Sequence, residues 1–428
     1  MSLITYHESN DSYSIHPVVH KWARKRPGMS ASEQAIWAHA AKLTLSHSIL
    51  LPPLADTEND EIFRRDILSH IDHVRSCQST IDLYIQKRRQ SRFGGYLNWP
   101  APGSTFGPSQ AILYAKFSSV FAQNGRWNYA ETLQLQVKEF ADSVLGLDQP
   151  ITRQIALALS STYWNQGRGD EAADLQEIVL KACLTYLGPQ SHETLITMET
   201  LGQTRWQQGR YTEAKGLQQK AVEGLIKLRN SKMHEDILSA MGHLGRTLAK
   251  FYEDLDEAKC LLEETCECMD AVLGPTHLKS MEIQEDLAML TVQMGNKEDL
   301  PIALNKMRHI LDCRKEKLGK EHPYTLLAMV SLSRVKIALR EYDEAEDLIR
   351  SGLQIADRNL GEHHIGTLMG KTVLATILIH QSRFSEAEDI LHTGIERQRG
   401  LSVYRGDFHP DRIGAMIELP SVLEFKGN

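Results

Sequence analysis

A stretch of about forty residues returns seven times along this chain, and that return limits the fold more than any other feature. An alanine marks each copy, at Ala130, Ala172, Ala214, Ala258, Ala303, Ala345 and Ala387, with spacings of 42, 42, 44, 45, 42 and 42 residues. A fixed period in this range is the signature of an array in which each unit buries its apolar face only on its neighbours. Twelve residues before the alanine, or 13 and 15 in the two long copies, stands a small residue: Ser118, Ser160, Gly202, Gly245, Ala288, Ser333 and Ala375. The residue before that is always apolar: Phe117, Leu159, Leu201, Leu244, Leu287, Leu332 and Leu374. Small side chains on two antiparallel helices let the backbones approach, and the large neighbour fills the gap between them. Three residues after the alanine come Leu133, Leu175, Leu217, Leu261, Leu348 and Ile390, on the same helical face. The fifth copy has Lys306 there and Met307 one place on, as a longer turn that shifts the register would give.

This column spacing resembles that of tetratricopeptide repeats. The 42-residue period, with linkers such as Leu187-Gly188-Pro189, Leu273-Gly274-Pro275, Leu318-Gly319-Lys320 and Leu360-Gly361-Glu362, resembles the kinesin-light-chain type. The resemblance spans roughly residues 109 to 412 and implies an all-α fold, a right-handed α–α superhelix. Seven helix pairs are expected over 109–400, at about 109–146, 151–188, 193–228, 235–274, 278–318, 323–360 and 365–400. Phe408-His409-Pro410-Asp411 announces an eighth copy that Pro420 interrupts, so 401–428 is expected to be a partial repeat or capping helix. In one column the chain departs from the kinesin-light-chain pattern, which carries Asn two places before the small residue. Here Lys116, Ala158, Thr200, His243, Asp286, Ser331 and Val373 stand there, so that family's cargo recognition does not carry over.

Residues 1–93 belong to no repeat and are expected to form a small helical region. Tyr13 to His16 reads as an extended piece stopped by Pro17, followed by a short helix closed by Pro27-Gly28. The run His16-Pro17-Val18-Val19-His20-Lys21-Trp22-Ala23-Arg24 resembles the junction between the winged-helix part of the ATPase module and the tetratricopeptide sensor in fungal NLR-like (NB-ARC/NACHT) proteins. That resemblance implies a sensor region without its ATPase, and no Gly-x-x-x-x-Gly-Lys-[Ser/Thr] occurs. The nearest decoy, Gly366 to Thr372, is one residue short and falls in a repeat helix. Gly94 to Pro108, rich in turn formers, is expected to be the linker between the two parts.

Charge and composition exclude several functions. The first 110 residues carry 12 Lys and Arg against 10 Asp and Glu, leaving 36 against 45 for the rest. An acidic array is a poor nucleic-acid binder, because that affinity comes from neutralising phosphates. No apolar run approaches the roughly 18 residues of a membrane span, and the first residues lack the basic start and apolar core of a signal peptide. No membrane partner is expected, and a cytoplasmic location is. None of the six cysteines forms Cys-x-x-Cys; Cys260, Cys266 and Cys268 share one expected helix and read as buried reduced thiols rather than a metal site. The linker histidines His192, His234, His277, His322, His364 and His409 recur once per period and read as turn residues. No nucleophile elbow or carboxylate pair outside solvated helix faces is present, so no enzyme activity, cofactor or metal is expected.

A solenoid does offer a concave groove lined by the first helix of each repeat. The positions three and two before, and one and four after, the small residue should face inward. They give Lys116, Trp164, Glu199, Gln203, Trp206, Arg246, Glu285, Asp286, Met289 and Arg334 as a candidate partner-binding set. Aromatic rings among charges of both signs suit capture of a protein or peptide, although Trp164 and Trp206 could equally pack on the neighbouring repeat. The expected function is a non-catalytic interaction scaffold, either sensor-like or, alternatively, an accessory protein that assists an enzyme of a biosynthetic pathway. Self-association through the unfinished eighth copy is a third option.

Overall fold

The computed structural model describes residues 4–7, 12–15, 31–49, 63–75, 106–361 and 364–398. The expected helix before Pro27, the linker 94–105, the partial repeat 401–428, Cys77 and His409 lie outside these residues. The chain divides into two compact units, 1–51 with 66–105 and 52–65 with 106–428.

In the first unit, strands β1 (Ile4–His7) and β2 (Ser12–Ile15) pair antiparallel with Ile4 opposite Ile15 and Tyr6 opposite Tyr13. This hairpin departs from the helical reading of 1–93. Alternation of Ile, Tyr and Ser around the Asn10-Asp11 turn has the period of a strand, not of a helix. Helix α1 (Ala31–Ser48) follows, then α2 (63–75), whose first three residues belong to the second unit and whose remainder buries Ile67, Ile71 and Val74 at helical spacing.

The array holds fourteen helices in seven pairs: α3 (Pro108–Gln123) with α4 (Trp127–Val144), α5 (Pro150–Asn165) with α6 (Gly169–Tyr186), and α7 (His192–Gln207) with α8 (Tyr211–Arg229). The fourth and fifth pairs are α9 (Glu235–Leu248) with α10 (Leu255–Leu273) and α11 (Leu278–Met294) with α12 (Leu300–Lys317). Last come α13 (Pro323–Ala338) with α14 (Tyr342–Asn359) and α15 (Ile365–His380) with α16 (Phe384–Gln398). This is the expected all-α superhelix. Proline opens α3, α5 and α13 and stands in the first turn of α12, where a missing N–H costs nothing. The linker glycines Gly188, Gly274, Gly319 and Gly361 adopt φ of +82° to +93°, which is why Leu-Gly recurs there. The third linker lacks that glycine, and Asn230 at φ +50° takes the left-handed position instead.

All seven marker alanines and the small residues opposite them are buried. The close approach is real: a Cβ built on Gly245 would stand 2.7 Å from Leu262, and one on Gly202 would stand 2.7 Å from Gln218. One column needs correction. The residues three after the alanine are only half-buried, whereas those four after it are buried throughout: Gln134, Gln176, Gln218, Leu262, Met307, Ile349 and Leu391. Met307 is therefore in register with the others, and Lys306 marks no shift. Three buried glutamines disguised this column in the first repeats. Gln134 donates to the Ala158 carbonyl and Gln176 to the Ser160 hydroxyl, so two of the three serve as hydrogen-bonding rather than apolar fillers.

The superhelix closes on itself five repeats on. Ahead of α13, the His322 Nε2–H donates to the Gln123 carbonyl at the end of α3 (3.0 Å). One repeat later the His364 Nε2–H donates to the Asn165 carbonyl at the end of α5, also at 3.0 Å. Tyr324 donates to the Asn165 side chain at 3.2 Å, and the His364 ring stacks on Trp127. Arg64 pairs with Gln123 while Arg65 donates to the carbonyls of Glu316 and Lys317, so these two residues, which belong to the second unit, tie the first repeat to the fifth.

Candidate peptide-binding interior

First helices of successive repeats touch each other from α7 to α15, while no pair of second helices comes as close, so the first helices line the inner face. With the superhelix closed five repeats on, that face becomes the wall of a lumen.

Its centre is a charge network on α7, α9 and α11. Glu199 accepts from Gln203 one turn on (2.8 Å) and from the Nδ1 of His243 on α9 (2.6 Å). The other ring nitrogen of His243 lies 3.5 Å from Glu282 on α11. Arg246, one turn beyond His243, stands 3.4 Å from Glu282 and 3.9 Å from Asp286, with its guanidinium 4.7 Å over the Trp206 ring. Glu285 pairs with Arg314 of α12 at 2.6 Å, and Arg314 also donates to the Tyr324 carbonyl at 3.1 Å.

The packing sets the charge states. Burial pulls the His243 imidazole down, but the charge and hydrogen bond of Glu199, joined by Glu282, outweigh it and hold it up at about 9. Burial pushes Glu282 up, yet His243, Arg246 and Arg314 hold it down at about 2. Asp286 differs. Burial, with Glu282 and Glu285 beside it, outweighs Arg246 and carries its carboxyl up to about 7. At neutral pH His243 is an imidazolium and Asp286 is poised between its two states.

Of the residues expected to face inward, Glu199, Gln203, Trp206, Arg246, Glu285 and Asp286 come together in this network. Trp206 packs on the neighbouring repeat through Arg246 and Lys250, on and just after α9. Trp164 packs on the cluster of Leu159, Tyr163 and Ala172 in its own repeat. Met289 packs against the core around Met281 and Ala288. Lys116 and Arg334 are half-buried, and Arg334 has no hydrogen-bond or ion-pair partner among the described residues. The sequence did not single out three members. His243 occupies the column of Asp286, Glu282 lies one turn before it, and Arg314 enters from a second helix, which a first-helix count does not sample.

The linker histidines have the structural role expected of them. Nδ1 of His234, His277, His322 and His364 accepts the backbone N–H two residues on, capping α9, α11, α13 and α15. His192 leaves the cap to Ser191 and pairs with Asp236 instead. The cysteines are mixed: Cys183 and Cys266 are buried free thiols, but Cys260 is exposed, because it falls on the outer side of α10. Among the described residues no cluster of His, Cys, Asp or Glu could hold a metal, and no helix is long and apolar enough to cross a membrane.

Fold and lumen together define a tetratricopeptide-repeat solenoid, a class whose members bind protein or peptide partners. Models of the tetratricopeptide repeat match residues 153–227 and 325–366. Among solved structures, a Rap protein complexed with Competence and Sporulation Factor is similar over 86% of this chain and 98% of that one, at 10% identity and a TM-score of 0.50. A putative kinesin light chain from Podosopora anserina with nearly identical TPR-like repeats is 22% identical over 49% of this chain and 94% of its own, with a TM-score of 0.38. No curated protein matches the chain.

Proposed function

We propose that this chain is a non-catalytic adaptor that receives a peptide segment of a partner protein in the lumen of its superhelix. One observation carries the reading. The inner wall from α7 to α13 presents charged groups that packing of the repeats leaves open, Arg334 without a hydrogen-bond or ion-pair partner among the described residues and Glu282 with its side chain 44% exposed. A face that only packed repeats together would be apolar or fully paired. The closure between the first and sixth repeats favours a slender guest, an extended strand or one helix, over a globular surface.

The working setting is the cytoplasm. The resemblance of His16 to Arg24 to the NLR-like junction supports a sensor role, in which a bound guest reports to a nucleotide-binding module. The test is affinity capture with mass spectrometry from the native host, comparing wild type with Arg334→Glu and with Trp206→Ala plus Arg246→Glu. Arg334→Glu breaks no hydrogen bond or ion pair among the described residues, so its melting temperature should change little while the set of captured partners shrinks. Identical partners for all three folded proteins would remove the interior from the function.

A further inference from the structure

We propose that Glu282, Glu285 and Asp286 of α11 form a seat for a basic side chain, lysine or arginine, of the guest peptide. This rests on the reading of the lumen as the binding face and adds the chemistry of the guest.

Within the network on α7, α9, α11 and α12 the acidic groups outnumber the basic ones. Four carboxylates, Glu199, Glu282, Glu285 and Asp286, face three cations, His243, Arg246 and Arg314. Glu199 takes both His243 and Gln203 on its Oε1. Glu285 gives one oxygen to Arg314, but its Oε1 has no hydrogen bond although the residue is only 7% exposed. The nearest cation to Asp286 is Arg246 at 3.9 Å, beyond hydrogen-bond reach, and Asp286 Oδ2 is unpartnered as well. Glu282 lies four residues before Asp286 on the same face of α11 and is the open member, its side chain 44% exposed. A cation entering beside Glu282 meets two carboxylates one turn apart.

A purely structural ion pair in the same array looks different. Arg153, wholly buried, donates to both oxygens of Glu193 at 2.6 and 3.0 Å and to the carbonyls of Leu147 and Asp148 at 2.9 Å. Nothing there is left unmade. The α11 carboxylates are under-paired by comparison, as expected where part of the partnership comes from another molecule. Arg246, whose Nε also lacks a hydrogen bond, lies over the Trp206 ring with Glu282 at 3.4 Å and Asp286 at 3.9 Å, so an anionic guest approaching it meets those two carboxylates.

A guest cation also makes a readable change of protonation. Asp286 faces Glu282 and Glu285 from its own helix and His243 and Arg246 from α9; Arg314 of α12 and Tyr324 of α13 stand beside Glu282, and Glu199 lies beyond His243 on α7. Those surroundings leave its carboxyl near 7, and a guanidinium or ammonium beside it would draw that value down. Binding at pH 7 therefore releases about half a proton per site from Asp286 to the buffer.

Calorimetric titration of the full chain with acetylated, amidated tetra-arginine, tetra-glutamine and tetra-glutamate tests this, run at pH 7 in phosphate and in Tris. Tetra-arginine should bind in preference to the other two, with a buffer-dependent heat that reports proton release. Glu282→Gln with Asp286→Asn should weaken it about tenfold or more and abolish the release. Asp312→Asn removes an exposed charge from the outer side of α12 and should change neither. Equal binding of tetra-glutamine, no proton release by the wild type, or an unaltered affinity in the double variant each overturn the seat. If partner capture still depends on Trp206 and Arg334 when tetra-arginine fails, the seat falls and the lumen stands as the binding face.

Discussion

His243 on α9 and His322 ahead of α13 are both buried, yet the fold holds them in opposite charge states. His243 sits between two carboxylates, Glu199 and Glu282, and stays protonated up to about 9. His322 sits between dipoles: its Nδ1 accepts the Tyr324 N–H while its Nε2–H donates to the Gln123 carbonyl. Only the neutral ring satisfies both bonds, since an imidazolium would direct a second N–H at the Tyr324 N–H. Burial lowers His322 further, to about 4, against a smaller upward pull from the Gln123 carbonyl. Desolvation acts the same way on both rings. What differs is whether the neighbours bring net charge or oriented dipoles. The lumen is thus wired by charge, and the closure between repeats by neutral hydrogen bonds.

The largest break in this contrast should come from Glu199→Leu, which removes the main counter-charge of His243 from a buried site. A loss of about 3 kcal/mol in urea unfolding is expected, and the His243 ring should titrate well below its wild-type value by NMR. A smaller loss, about 1–2 kcal/mol, is expected of His322→Ala, which gives up both a helix cap and the bond across the closure. His322→Ser restores the cap alone, so it should recover part of that stability while small-angle scattering still shows the expansion of an opened superhelix. A compact His322→Ser protein would mean that the closure does not depend on this bond.

The mildest effect is on the pH profile, and its two limbs separate the two histidines. The folded value of His243 is raised above 6.5, so its contribution is complete below 6.5 and is lost as pH rises through about 9. The folded value of His322 is depressed, so the neutral closure is at full strength above 6.5 and weakens as pH falls toward about 4, with His364 shifted the same way. Melting temperatures across this range should fall on both sides. Glu199→Leu should flatten the alkaline limb and His322→Ser part of the acid limb.

Much of the fold was legible because repetition multiplies a weak signal. A single Ala or Ser says little, but seven at one register fixed the helix pairs, and the left-handed turns followed from glycine in most linkers. The buried line of the second helices was harder to find, since Gln134, Gln176 and Gln218 look like surface residues until the structure shows them filling core positions. In the candidate site, counting inward positions brought out Glu199, Trp206, Arg246, Glu285 and Asp286. It passed over His243 and Glu282, whose importance comes from the groups they meet, and Arg314, which arrives from a second helix.

The sequence by itself determined the repeat unit, its helices and the close small-residue contact inside each pair, because those depend on spacings within some forty residues. Only the tertiary structure decided that the first repeat meets the sixth and the second the seventh, and which charges share the lumen. Both depend on a small rotation between neighbouring repeats that no single period encodes. Summed over five repeats, that rotation sets the pitch of the superhelix, and with it the company kept by His243, His322 and Asp286.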